Sequence, residues 1–375
     1  MNPSSPVKTL PAVILLMALT APICLAQKAT FDPKLRNLVR ARAQDLISSR
    51  KTAGLVVGLL TKQGSMVIGF GTTGREDASK PDGRTLFEIG SITKVFTALL
   101  LADLAEKGKV KLETPLRTLL PDGQKLPRHT GGEITLLDLA THTSGLPRMP
   151  TMKDLRDPFA AQNAQVVHAF LASLADKPAG SPRYSYSNLG FGVLGHTLGT
   201  VARLPYEQLL KNNICKPLGL RDTGITLTRT QKNRLARGHQ ADVRRDDPLS
   251  PTGRWNFADL EGCGAIVSSV DDLLIFLQHQ AAITKSPLRK IMDASQQQRR
   301  DRPGKRSSVA LGWHLEGRPD DTDSIIWHNG GTNGYTSFAG FFKKPQVGLV
   351  ILNNSNWSVT AMGFEILKRL AAKTD

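Results

Sequence analysis

The chain has 375 residues, 40% of them hydrophobic, and its 49 Lys and Arg against 32 Asp and Glu give a formal net charge of +17 and a pI of about 10.0. The composition is that of an ordinary globular protein without repeats or low-complexity tracts, and the length exceeds what one core comfortably serves, so one large unit or two closely joined units are expected. Such a basic balance raises the thought of nucleic acid, but no zinc-finger spacing, RNP-like aromatic run or basic heptad accompanies it. Nucleic acid is therefore excluded as a partner, and the excess, concentrated in Lys285 to Ser307 and near Arg244, reads either as a solvated basic face or as attraction to an anionic cell envelope.

At the N-terminus, Lys8 precedes the apolar run LPAVILLMAL, the turn-like TAP and small residues around Cys24-Leu25-Ala26. This is the pattern of a signal peptide over residues 1–26, giving a protein exported to the periplasm or secreted. The run is too short to span a bilayer, and Ile23 before Cys24 argues against a lipid anchor, so no transmembrane span is expected in the mature chain. Export leaves Cys215 and Cys263 either to pair or to stay buried as free thiols.

Asp32-Pro33 makes a helix cap and first turn, followed by Leu35, Leu38, Val39, Ala43, Leu46 and Ile47 at helical spacing. AGLVVGLL and SMVIGFG, separated by TKQG, read as a hairpin. From Ser91 to Gln298 the pattern is mostly helical, punctuated by loops rich in Pro and Gly. VALGWHL, SIIWHNGG, YTSFAGFF and VGLVILNN are strand-like, and Ser358 opens a last amphipathic helix with Val359, Met362, Ile366 and Leu370. Strands cluster at both chain ends. The expected class is α+β: an antiparallel sheet flanked by helices, built from 27–90 and 305–375, with a mostly helical region 91–304 inserted and the active site at the junction.

The stretch FEIGSITKVFTALLLADL, Phe87 to Leu104, is apolar nearly all round from Ile92 to Ala102, yet it carries Lys94. A buried ammonium needs a partner or a task, since leaving it unpaired costs several kcal/mol. One helical turn places Lys94 on the same face as Ser91, where it can accept the serine proton, and the Ser91 N–H can help hold an oxyanion. Ser-x-x-Lys alone is weak, because Ser5-Pro6-Val7-Lys8 also fits and lies in the signal peptide. Companions strengthen it. Tyr186-Ser187-Asn188 sits in a turn before an apolar helix, where the tyrosine is either a core aromatic or a proton relay and Asn188 either an N-cap or a substrate contact. His328-Asn329-Gly330 ends a strand and is followed by Gly331, an edge able to pair with a substrate backbone. His129-Thr130-Gly131 lies in a loop with no strand before it and is discounted.

Together with ITLLDLATHTSGLPR (Ile134 to Arg148) and CKPLGLRDTGI (Cys215 to Ile225), these motifs, in this order, resemble the serine β-lactamase and penicillin-binding protein superfamily. The match is closest to its class C-like branch of D,D-peptidases, D-aminopeptidases and esterases. The resemblance implies that Ser91 is the acylated nucleophile, Lys94 its activating partner and Tyr186 the proton shuttle. It implies that Asn188 contacts the substrate amide and that His328 to Gly330 replace the family's Lys-Thr-Gly strand. The N–H of Gly331 would join that of Ser91 in an oxyanion hole, and THTSG is taken as a structural signature.

His328 stands where lysine is usual, and an imidazole with an ordinary pKa near 6.5 is expected to be only partly charged. The expected activity is hydrolysis through an acyl-enzyme on Ser91, acting on D-amino-acid peptides, related amides or β-lactams, without metal or cofactor. A carboxylesterase, or a sensor of β-lactam or peptidoglycan with slow deacylation, stands as the alternative. No Gly-x-Ser-x-Gly elbow and no His-Glu-x-x-His motif is present.

Overall fold

The computed structural model describes residues 31–373 except 77, 131, 151–153, 155, 177–181, 304–306 and 318–323, so the expected signal peptide lies outside the described residues. The first helix, α1 (Pro33–Ser48), begins where Asp32 accepts the Lys34 N–H at 2.8 Å, and it buries Leu35, Val39 and Ala43 at four-residue spacing. β1 (Gly54–Thr61) and β2 (Gly64–Gly71) form the hairpin expected of TKQG. β3 (Leu86–Glu88) leads through a tight turn into α2 (Thr93–Glu106), buried from Thr93 to Leu104. α3 (Leu136–Ala140) and α4 (Asn188–Ala202) follow. β4 (Val267–Ser269), which pairs with β3, leads into α5 (Val270–Gln280).

The chain end supplies β5 (Arg300–Asp301), β6 (Ser307–Val309), β7 (His314–Glu316), β8 (Ile325–Gly331), β9 (Thr336–Phe342), β10 (Val347–Asn353) and α6 (Thr360–Ala371). Eight strands make one antiparallel sheet in the order β2-β1-β10-β9-β8-β7-β6-β5, drawn from both chain ends. VALGWHL is two short strands rather than one. Gly312 turns between them at φ +70°, packed so closely on α2 that a Cβ there would lie 2.7 Å from the Lys94 carbonyl.

Every residue of β1 is buried, because both faces of the sheet are covered. Leu55, Val57 and Leu59 join α1 and α6 in one core, while Val56 and Leu60 join α2, α4 and α5 in the other. The two-residue alternation runs on across β9 and β10. Each fully buried Leu or Val contributes about 1.5–3 kcal/mol relative to exposure, so this alternation fixes which face each strand turns to the helices. On β8, Ile325 and Trp327 face α6, whereas Ile326 belongs to the helical side. His328 follows Ile326 to that side, opposite Ala339 of the same core.

Candidate active site

Ser91 sits on the single 3₁₀ turn Gly90–Ile92 between β3 and α2. Two backbones meet at this point. Gly90 has φ +51°, and a Cβ on it would come 2.6 Å from Gly331 N. A Cβ on Gly330 would come 2.0 Å from Ile89 O. Glycine at 90 and 330 thus lets the end of β8 lie directly against the serine turn. Ile89 is held from both sides, its N–H donating to Ile266 O at 3.0 Å and its carbonyl accepting from Ser337 at 2.8 Å.

Lys94 is 0% exposed, and its Nζ lies 2.9 Å from Ser91 Oγ, 2.8 Å from Asn188 Oδ1 and 2.6 Å from Cys263 O. An ammonium has three donors, and three acceptors are present, so the buried cation is fully satisfied. The same Oγ–Nζ separation serves transfer of the serine proton to a neutral amine.

Asn188 is the first residue of α4 but does not cap it. Ser187 takes that role, accepting the Gly190 N–H at 2.9 Å, which leaves the Asn188 side chain to Lys94 and to Met149 Sδ at 3.1 Å. Tyr186 turns its ring face to the lysine, with Nζ 5.0 Å from the centroid, and its hydroxyl makes no hydrogen bond among the described residues. The ring is held between Arg148, 5.0 Å from its centroid, and His142, whose ring centre is 4.3 Å away.

His142 gives THTSG its physical content. It adopts φ +59°, its Nδ1 accepts the Ser187 N–H at 3.1 Å, and its carbonyl accepts the Ser185 N–H at 2.7 Å, so it pins the Tyr186 segment against the site. Burial, reinforced by the Lys94 charge, drives its imidazole far below the usual range.

His328 differs from expectation. It is fully buried beneath the cleft floor, with Nδ1 against Asn329 O and its ring stacked 4.6 Å from that of His314. Burial, with the Lys94 charge added, pushes it down to about 3. It is neutral, not partly charged, at neutral pH, and Asn329, Gly330 and Gly331 line the cleft instead.

This burial links His328 to stability. A folded imidazole near 3, against about 6.5 unfolded, favours the folded state fully above pH 6.5 and loses that contribution as pH falls toward 3. Other groups titrate too, so the readout is a difference between variants. The unfolding free energy of wild type minus that of His328→Gln should fall by about 1.4 kcal/mol for each pH unit below 6.5 in denaturant titrations. A pH-independent difference would contradict the neutral assignment.

The cleft above Ser91 has a volume of about 760 Å³ and is lined also by Tyr186, Asn188, Phe159, Trp255, Arg148 and Arg302. Arg302 belongs to the basic stretch Lys285 to Ser307, read from sequence as a solvated face or as attraction to an anionic envelope. Cys263 takes part through its backbone, its carbonyl accepting from Lys94. Cys215 and Cys263 are free and buried, their thiols pushed up to about 12 and about 11 by burial, so neither is an activated nucleophile. The discounted His129 is in a two-residue strand, Arg128–His129, not a plain loop, and it faces Asp138 at 3.8 Å.

A serine on a turn against a strand end, with a buried lysine one helical turn on, under an α+β sheet of this order, defines a serine hydrolase. The Beta-lactamase family model matches residues 35–372, and the chain belongs to that family, in its class C-like branch. It is 26% identical over 353 residues to the D-alanyl-D-alanine-carboxypeptidase/endopeptidase AmpH of Escherichia coli K12, covering 91% of this chain and 89% of that protein. It is 26% identical over 360 residues to a beta-lactamase of Pseudomonas fluorescens, covering 86% and 94%. The crystal structure of a class C beta lactamase from Rhodobacter sphaeroides superposes with a TM-score of 0.75 at 25% identity, covering 89% of this chain and 99% of that one.

Proposed function

We propose that the protein is an exported hydrolase that acylates Ser91 and then deacylates with water, acting on D-amino-acid peptides or amides of the cell wall or on related β-lactams. The observation that carries this reading is the network in which one buried amine meets Ser91, Asn188 and the Cys263 carbonyl. Ser91 Oγ bonds to the acyl carbon while its proton passes to Lys94. As the acyl carbon–nitrogen bond breaks, Tyr186, beside that amine, gives its proton to the departing nitrogen and is reprotonated from Lys94, while the N–H groups of Ser91 and Gly331 stabilise the oxyanion. Water then cleaves the Ser91 ester, releasing the acid and restoring the serine. Asn188 orients the lysine and the substrate amide.

The relatives named for D-alanyl-D-alanine carboxypeptidase activity support the substrate class. Among the described residues no helix is long and apolar enough to cross a membrane. The neutral His328 favours a second reading, a carboxylesterase, because it removes a fixed cation from the strand. Turnover of a D-alanyl-D-alanine peptide, a D-alanine p-nitroanilide, nitrocefin and p-nitrophenyl acetate separates the two. The proposal expects the peptide and the anilide to be cleaved readily and nitrocefin slowly. Turnover of the ester alone would leave the carboxylesterase.

A further inference from the structure

The basic run Lys285 to Ser307 is partly neutralised by the fold. Arg289 pairs with Asp293 at 3.0 Å, Lys290 with Glu106 at 2.6 Å and Arg302 with Glu316 at 3.1 Å. Unmatched charge gathers instead on the layer formed by α1 and α6. These helices lie antiparallel over one face of the sheet, with Arg42 meeting Glu365 at 2.6 Å and Lys373 lying 3.8 Å from Asp32. From Asp32 to Ser48 and from Thr360 to Lys373 there are seven Lys and Arg against three carboxylates, Asp32, Asp45 and Glu365. Lys34, Arg36, Arg40, Lys368 and Arg369 are exposed and have no acidic partner among the described residues.

Each helix is fixed to the sheet by one stripe, Leu35, Val39 and Ala43 on α1 and Met362, Ile366 and Leu370 on α6, which leaves the other face to solvent. Among the cations the exposed residues include the short Asn37, Ala41, Ala361 and Ala372, so the long Lys and Arg stems stand above the layer. Two half-buried aromatic rings lie under lysines here, Phe364 with Lys368 Nζ 5.9 Å from its centroid and Trp357 with Lys51 Nζ 5.0 Å from its own. Cationic heads on apolar stems beside partly exposed aromatic rings suit a membrane–water interface. The segment carrying LPAVILLMAL leads into α1, so this layer is also the part of the fold nearest in sequence to a membrane-seeking stretch.

We propose that the α1–α6 layer docks the protein on an anionic phospholipid bilayer, its five unmatched cations meeting lipid phosphates without insertion of the helices. α2, which carries Lys94, packs on the opposite side of the sheet, so the docked protein keeps its cleft turned away from the lipid. Docking is independent of the Ser91 chemistry.

The test is co-sedimentation of the full chain with vesicles of equal parts phosphatidylglycerol and phosphatidylcholine, and with vesicles of phosphatidylcholine alone. The protein should bind the first and not the second, and should be released as salt rises from about 0.05 to about 0.5 M. Equal binding to neutral vesicles overturns the proposal, since it reports apolar insertion rather than charge. An exposed Lys or Arg at an anionic lipid surface strengthens binding by about 5-fold. The double variants Arg36→Gln/Arg40→Gln and Lys368→Gln/Arg369→Gln should therefore each lower vesicle affinity by about 25-fold. Glutamine keeps the helix, and unchanged turnover of p-nitrophenyl acetate confirms that each variant is folded. Lys285→Gln/Arg300→Gln removes the same charge from exposed positions of the sequence-basic run and should leave vesicle binding unchanged. An equal loss in that control would show that net charge, not this layer, is responsible. Vesicle-bound protein should hydrolyse p-nitrophenyl acetate as fast as free protein, and a cleft silenced by the vesicles would overturn the orientation and the docking face with it. Soluble polyphosphate at matched phosphate concentration that binds more tightly than the vesicles, with the same losses in the two helix variants, would make a polyanionic polymer the occupant and remove the lipid assignment.

Discussion

Ser91→Ala should eliminate covalent labelling by a fluorophosphonate or a fluorescent penicillin, and peptide mapping of the wild type should place the adduct on Ser91. Turnover should fall by about 10³-fold or more, to whatever the cleft and oxyanion donors achieve without a nucleophile. The fold should survive. The substitution removes one of three acceptors around Lys94 and leaves Asn188 Oδ1 and Cys263 O in place, a loss of about 0.5–1.5 kcal/mol. Labelling that persists unchanged in Ser91→Ala would place the nucleophile elsewhere.

What could be read from sequence followed the range of the interactions. α1, the β1–β2 hairpin and α6 are local, written in an N-cap, an alternation and an amphipathic stripe. The Ser91–Lys94 pair is also local, three residues apart on one turn. Asn188 is 94 residues from Lys94, and only its resemblance to a family motif linked the two. The Cys263 carbonyl, 169 residues away, had no signal at all, because any residue type supplies a backbone oxygen.

The errors share a cause, which is that burial and turn geometry are properties of the assembled chain. VALGWHL alternates well enough for one strand, but Gly312 at φ +70° breaks it in two. Asn188 and Ser187 are equally good caps by type, and the structure chooses the serine. His328 was given an ordinary pKa because sequence does not report its desolvation. Arg302 was one cation among many in a basic run, and only the fold turns it toward Tyr184 and Trp327.

Lys94→Met tests the residue on which the site depends most. Methionine keeps much of the unbranched stem in a position that is 0% exposed, so the variant removes the amine with little change in packing. Two consequences should follow, and they are separable. Asn188 Oδ1 and Cys263 O lose a donor, which costs about 1–3 kcal/mol for each acceptor left unsatisfied, offset in part because an ammonium is no longer buried. Thermal or denaturant unfolding reads that balance. Acylation, followed as the single-turnover rate of label incorporation on folded protein, should fall by about 10²- to 10⁴-fold, the scale of a lost general base. A catalytic role moves the second measurement far more than the first. Were Lys94→Met to lose stability yet keep the full acylation rate, the amine would be no more than a buried donor tying together Ser91, Asn188 and Cys263, and Ser91 would need another base.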